Sequence, residues 1–345
     1  MTERKIKLGI VGAGIWGRNH ALALTTHPRG NLAIICDRDE GRARALADTY
    51  GCSWTTSLDE LAASDVEAVT IATPDYLHMD PTLIMLRAGK HVLVEKPLAT
   101  SVAEARAMVE AAEQAGVKFM VDFHARWHPL FMGAKSYVER GELGPPVMAY
   151  ARLSDTIYVP TEMLAWAGQS GPEWFLFPHT MDVVRWLFDR DPIEVYAKGY
   201  RGVLEGKGVN CWDAIQALIE FEGKAFCTFE TSWIVPNSYT NVVDNRLSFY
   251  GEKGGLELKN EPTLWAFTDR FHTPFSSESV TRYGKAWGFQ YESIRYFVDC
   301  VADDIVPEAS GRDGLMVTAM IVATLKSLAE SRPVKIAEVL AVAAR

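Results

Sequence analysis

The sequence predicts a two-domain α/β protein, with a doubly wound parallel sheet first and then an α+β domain built on an open, mostly antiparallel sheet. Three observations predict it. The chain has 345 residues, enough for about two domains. Short apolar runs alternate with helical stretches over residues 5–120, the rhythm of βαβ units. Beyond about residue 125 the runs lengthen and are joined by tight turns, which favours antiparallel pairing. The expected division is therefore 1–124 and 125–345.

The elements follow in order. Ile6 to Val11 reads as a buried strand and Gly17 to Thr26 as a helix. Leu32 to Cys36 is a second strand, followed by a helix from Asp39 to Tyr50 with its charges on one face. Val69 to Ala72 and Val92 to Val94 are short core strands flanking a helix from Met79 to Ala88. Ser101-x-x-Glu104 is a capping box that opens a helix ending at Gly116, and Lys118 to Val121 is one more strand. In the second half, Val147 to Leu153, Val195 to Gly199, Ala214 to Phe221, Ala225 to Trp233, Arg246 to Tyr250 and Leu256 to Leu258 read as strands. Glu222-Gly223-Lys224 is a hairpin turn between two of them. Helices are expected at 130–140, 178–188, 288–303 and 313–330.

Composition narrows the function. Hydrophobic residues make up 48% and charged residues 23%, as in a soluble globular protein. A net charge of -9 argues against nucleic acid or an anionic membrane as the main partner. The five cysteines are scattered with no C-x-x-C pair, which suits free thiols in a reducing compartment. Arg4, Lys5 and Lys7 precede an apolar run, but Gly9, Gly12 and Gly14 interrupt it, so a signal peptide is not expected. With no membrane-length apolar stretch, the expected location is the cytoplasm.

Gly12-x-Gly14-x-x-Gly17 follows a strand and opens a helix. Gly12 permits the tight turn, Gly14 lets the backbone approach a pyrophosphate, and Gly17 allows close helix–strand packing. Ile15 and Trp16 lie within the loop, whose helix N-terminus favours an anion. Asp37 ends the second strand twenty residues beyond Gly17. Its carboxylate would bind ribose hydroxyls and repel a 2′-phosphate, so NAD is favoured in a Rossmann domain of this kind. Arg38 keeps NADP open, because a guanidinium there stacks on adenine or grips a 2′-phosphate. Thr73 and Pro74, at the end of the third core strand, face the same crevice. His78 either packs the start of a helix or joins the contacts.

His91-Val92-Leu93-Val94-Glu95-Lys96-Pro97 puts a lysine at the carboxyl end of a buried strand, where Pro97 stops a central strand from continuing. Open α/β sheets bind ligands at that edge. Glu95 and Lys96 are therefore expected beside the cofactor.

Together these motifs resemble the Gfo/Idh/MocA family, the glucose–fructose oxidoreductase and inositol dehydrogenase family. The matching stretches are Lys7 to Ala21, Ala72-Thr73-Pro74 with His78, Glu95-Lys96-Pro97, His179-x-x-Asp182 before Arg185-Trp186, Gly251-Glu-Lys-Gly254, and the helix after Ser310-Gly311-Arg312-Asp313-Gly314. The resemblance implies an NAD(P)-dependent oxidoreductase acting on a sugar, sugar acid or cyclic polyol, with Lys96 and His179 as its catalytic pair. It also implies a homodimer or homotetramer formed through the C-terminal sheet. Alcohol oxidation needs a group to take the hydroxyl proton, and histidine titrates near the working range. The plainer alternatives are a strand-end surface lysine and a core histidine capping its helix. In the inositol dehydrogenase branch an aspartate commonly stands one turn before the histidine; here that residue is Phe175. Asp182 or Asp155 is a candidate replacement.

On the substrate side, Asp122-Phe123-His124-Ala125-Arg126-Trp127-His128-Pro129 leaves the last parallel strand, and His124 and Arg126 are candidate contacts. His124 and His128 have metal-ligand spacing on a helix, but Pro129 opposes that helix and no third ligand is evident, so no metal is expected. Asp155 and Trp166 are further candidates, and Tyr158, Trp174, Tyr283 and Trp287 are aromatic residues suited to packing or to a sugar face. A family member that binds NAD(P) and a ligand without turnover, and a dehydrogenase of a non-sugar diol, are the alternative functions.

Overall fold

The computed structural model describes residues 4–260, 280–283 and 285–342. Residues 272–279, part of the loop that carries Tyr283 and Trp287 in the sequence reading, lie outside the described residues. The chain forms two compact units, one comprising residues 4–127 and 280–316 and the other 128–260 and 317–342. The first unit is thus discontinuous in sequence, unlike the contiguous halves expected.

Six parallel strands make the first sheet: β1 (Ile6–Val11), β2 (Gly30–Cys36), β3 (Ser53–Thr55), β4 (Ala68–Ile71), β5 (His91–Glu95) and β6 (Phe119–Asp122). Their spatial order is β3-β2-β1-β4-β5-β6, the doubly wound order with its switch point between β1 and β4. The crossovers carry α1 (Ile15–Thr26), α2 (Glu40–Tyr50), α3 (Leu58–Ala63), α4 (Met79–Arg87) and α5 (Val102–Ala115). Side chains start three of these helices. Asp39, Ser57 and Ser101 accept the backbone N–H of Arg42, Glu60 and Glu104, which satisfies donors that a helix start leaves open. The capping box at Ser101 and the left-handed end at Gly116 fall where the sequence puts them. The short β3 and α3 were not expected; three and six residues are too few to show a periodicity.

A late segment completes this unit. α9 (Phe289–Ala302) packs on α1, and Arg29 pairs with Asp299 and, at 2.6 Å, with Asp303. Val121 N–H donates to Ala309 O at 2.9 Å, so the chain after α9 extends the hydrogen bonding of β6. β13 (Val280–Arg282) and β14 (Lys285–Trp287) pair antiparallel before it.

The second sheet has the order β12-β11-β7-β10-β9-β8-β15. Its strands are β7 (Pro146–Thr156), β8 (Pro192–Tyr200), β9 (Ala214–Phe221), β10 (Phe226–Val235), β11 (Val243–Gly251), β12 (Gly255–Asn260) and β15 (Val334–Lys335). All neighbours are antiparallel except β7 and β10, which run parallel. The hairpin at Glu222-Gly223-Lys224 joins β9 to β10, with Gly223 at φ 74° and Phe221 N–H bonded to Ala225 O at 2.7 Å. β9 alternates strictly: Ile215, Ala217, Ile219 and Phe221 are buried, while Gln216, Leu218 and Glu220 are exposed. On the buried face Phe188 makes edge contacts with Phe221 and Phe249, at centroid distances of 5.1 and 5.5 Å. The other face carries Met148, Tyr196, Leu218, Phe226 and Tyr250, all exposed. The helices of this unit are α6 (Pro129–Glu139), α7 (Pro172–Phe175), α8 (Phe177–Phe188), the end of α10 (Gly311–Glu330) and α11 (Ile336–Val342). Among the described residues no helix is long and apolar enough to cross a membrane.

Candidate active site

The glycine loop is built for close approach. Gly12 holds φ +101°, and a Cβ there would lie 2.6 Å from Ala72 O, so only glycine fits between β1 and the end of β4. A Cβ on Gly17 would stand 1.9 Å from Gly12 O, which explains why α1 can turn so tightly out of the loop. Gly14 has nothing within 4 Å of the same position, so space is left beside it. Gly14 also begins α1 with no side-chain cap and no acidic residue in the first turn, leaving backbone N–H groups and the positive helix end for an anion. Ile15 is 66% exposed and Trp16 half-buried.

Asp37 joins this loop to the end of β2. One carboxylate oxygen accepts from Ala13 N–H at 2.7 Å and the other from Asp39 N–H at 2.9 Å. Arg38 beside it is exposed. These residues fit a dinucleotide: an uncapped helix end with open space for pyrophosphate, and a carboxylate at the next strand end for ribose.

β4 and β5 end in turns that one histidine ties together. The ring of His78 is buried with Nδ1 2.8 Å from Pro97 O and Nε2 3.0 Å from Thr73 O. His78 thereby fixes Thr73 and Pro74 beside Lys96-Pro97, a cis peptide. Lys96 is 7% exposed and follows the last residue of β5. Its backbone N–H lies 3.3 Å from a Glu95 carboxylate oxygen. Beyond β6, His124 stacks on Trp16 with centroids 5.5 Å apart and planes 25° off parallel.

Glu95 is turned toward α1. One oxygen lies 3.0 Å from His20 Nε2, on α1, and Asp122 lies 3.8 Å from the same nitrogen. Glu95 and Asp122 are register partners on β5 and β6, and all three groups are buried. Burial opposes the charge of Glu95, but the His20 hydrogen bond and the charges of His20, His124 and Lys96 outweigh it and hold the carboxyl below its ordinary range. Asp122 goes the other way: burial first, then the charge of Glu95, push it well above the usual carboxylate range. Sequence reasoning singled out neither His20 nor Asp122. The available signal was a histidine inside an apolar helix three residues after Gly17, and two acidic residues closing adjacent strands.

Arg126, expected at the substrate, is buried in the first unit. It donates to Glu308 O at 3.0 Å and lies 3.6 Å from Asp313, which ties the turn after β6 to the start of α10.

In the second unit, His179 lies in the first turn of α8 and is half-buried. Phe175, one turn earlier, belongs to an aromatic cluster: its ring is 6.1 Å from Trp166 and 5.7 Å from Trp233. Trp233 Nε1–H donates to Asp155 at 3.1 Å, and Asp155 is itself buried at the end of β7. Asp155 and Trp166 thus stand around Phe175, in a cluster completed by Leu153, Val159, Leu164, Leu176 and Val242. Asp182 is buried on the same helix as His179.

Residues 6–123 match the family model for the oxidoreductase family with an NAD-binding Rossmann fold, and residues 135–336 match that family's C-terminal α/β domain. The chain belongs to the GFO/IDH/MocA oxidoreductase family. An inositol 2-dehydrogenase of Rhizobium meliloti is 28% identical over 96% of this chain and 99% of its own length. A 1,5-anhydro-D-fructose reductase of Ensifer adhaerens is 26% identical over 95% and 98%. Among solved structures, GenD2 from gentamicin A biosynthesis, in complex with NAD, superposes with a TM-score of 0.81 at 26% identity and 97% coverage of both chains.

Proposed function

We propose that this member of the family transfers hydride between a nicotinamide cofactor, NAD in preference to NADP, and a sugar, sugar acid or cyclic polyol, with Lys96 and His179 handling the hydroxyl proton. The observation that carries the reading is Lys96: a buried lysine at the carboxyl end of a central parallel strand, held beside the turn that His78 shares with Thr73. Bound NAD supplies the hydride acceptor for an alcohol or, reduced, the donor for a ketone. The chain's own residues would do the rest. The N-terminus of α1 and the loop Gly12 to Gly17 hold the pyrophosphate, with Ile15 and Trp16 along it. Asp37 holds the ribose, and Thr73 and Pro74 flank it. Lys96 binds the reacting oxygen, and His179 takes its proton in oxidation or returns it in reduction. His124, stacked on Trp16, is the best placed of the substrate candidates in the first unit.

The same reading makes the exposed face of the second sheet the surface for a homodimer or homotetramer, because it carries Met148, Leu218 and Phe226 at its centre. It also places the protein in the cytoplasm, in keeping with five cysteines that are all free.

A second reading, a less hydroxylated diol as substrate, is favoured by Phe175. A position that carries an aspartate in the inositol branch is here part of an aromatic cluster, which suits C–H surface better than hydroxyls. Purified protein supplied with NAD or NADP and a panel of inositols, anhydro sugars, sugar acids and simple diols tests both, by absorbance at about 340 nm, where reduced nicotinamide absorbs. Turnover with a cyclic polyol or sugar supports the first reading, turnover with simple diols alone supports the second, and none with any member supports a binding protein without turnover.

A further inference from the structure

The three buried groups behind Lys96 have no part in the reaction outlined above, yet two carboxyls and an imidazole buried together are costly unless they are used or paired. The Ser293 hydroxyl is a donor facing Asp122, and His20 Nδ1 has no hydrogen-bond partner among the described residues. Two adjacent carboxylates that share one imidazole nitrogen, 3.0 Å from Glu95 and 3.8 Å from Asp122, do not both stay ionised in a dry interior; one takes up a proton and donates it to the other. The groups facing the pair are few. α1 contributes His20, the turn after β5 contributes Lys96, the turn after β6 contributes His124, and α9 contributes the Ser293 hydroxyl. Both carboxyls feel the charge of Lys96, and Glu95 also accepts the backbone N–H of Lys96.

We propose that Glu95 and Asp122 share one proton and, with His20, form a positioning unit that fixes a single negative charge behind Lys96. Resting on Lys96 as the proposed catalytic lysine, this gives the trio a use. One buried anion beside the lysine steadies its charge, whereas two would bind it too strongly. Glu95 is the member that carries the charge, because His20 bonds to it; Asp122 is the neutral donor. The ligand atoms of the three residues lie within 4.8 Å of one another, a spacing that would also suit a metal ion. A proton fits better. Metal sites usually complete four or more ligands, and the charge of Lys96 acts on both carboxyls, which opposes a further cation.

The test reads Lys96 directly, in the protein without cofactor. Competitive labelling of its amine with acetic anhydride across a pH series, quantified by mass spectrometry, gives the midpoint at which the amine becomes reactive. In Glu95→Gln that midpoint should fall by about one pH unit or more, because the anion that favours the ammonium is gone. In Asp122→Asn, which mimics the neutral carboxyl, it should stay within about 0.3 units of wild type. A second readout survives poor folding of Glu95→Gln. The carboxyl of Asp122 is raised in the folded state, so wild-type stability falls as pH climbs through the interval between its unfolded and folded values. Asp122→Asn cannot lose a proton, so its melting temperature should rise relative to wild type across that interval and then hold. The proposal is overturned if the Glu95→Gln midpoint is unmoved, if Asp122→Asn moves it as far, if the melting difference is flat with pH, or if metal analysis finds a stoichiometric ion. Failure of the catalytic reading looks different: Lys96→Ala would keep wild-type turnover whatever the labelling shows.

Discussion

The cofactor edge of the first unit and the surroundings of His179 in the second were built by different means. At the cofactor edge, function is written into the backbone. Gly12 and Gly17 sit where a single added carbon would strike Gly12 O or Ala72 O, and Asp37 and His78 bond main-chain groups of the neighbouring turns. In the second unit, side chains drawn from far apart in sequence, Asp155, Trp166, Phe175 and Trp233, meet in one cluster. A backbone-built site tolerates little change and keeps its ligand. A side-chain cluster is more open to substitution, and Phe175 lies within it.

Four substitutions break or sharpen that contrast, in falling order of effect. His179→Ala should lower kcat on the substrate found by the panel by about 100- to 1,000-fold while NAD affinity changes less than about twofold, measured by steady-state kinetics and cofactor titration. Gly17→Ala should weaken NAD binding on the order of 100-fold, because the loop must shift to admit a methyl 1.9 Å from Gly12 O; titration calorimetry reads this. Phe175→Ala should cost about 2–3 kcal/mol of stability through two lost aromatic contacts and a partly filled void, with NAD binding intact, by urea unfolding of the variant. Asp37→Ala should reduce the preference for NAD over NADP by about tenfold, seen as a ratio of kcat/KM values. If Phe175→Ala instead weakened NAD more than Gly17→Ala, the division of labour between the two regions would fail.

What the sequence made legible follows the same division. Five of the six parallel strands, the glycine loop, the Ser101 cap and the hairpin at Gly223 were readable, because each depends on a few adjacent residues whose chemistry has one conformational use. The parallel pairing of β7 with β10 was not, since it joins strands separated by α8, β8 and β9, and local pattern favours neighbours. Nor was the return of α9 to the first unit, which rests on Arg29 meeting Asp299 and Asp303 across some 270 residues of chain. Arg126 and Asp155 stand near strand ends, and sequence alone did not show that they pair with Asp313 and Trp233. The His20–Glu95–Asp122 trio was hidden for a related reason: its members are single residues on three elements, and only strand register shows that two of them are neighbours.

The central claim is that Lys96 takes part in the chemistry and not only in the fold of the strand end. Single-turnover reduction of bound NAD, followed at about 340 nm with saturating substrate, measures this most directly in wild type and Lys96→Ala. The account predicts a rate at least about 1,000-fold lower in Lys96→Ala, with NAD binding within about twofold and a melting temperature within a few degrees of wild type. A Lys96→Ala protein that reduces NAD at the wild-type rate would contradict it.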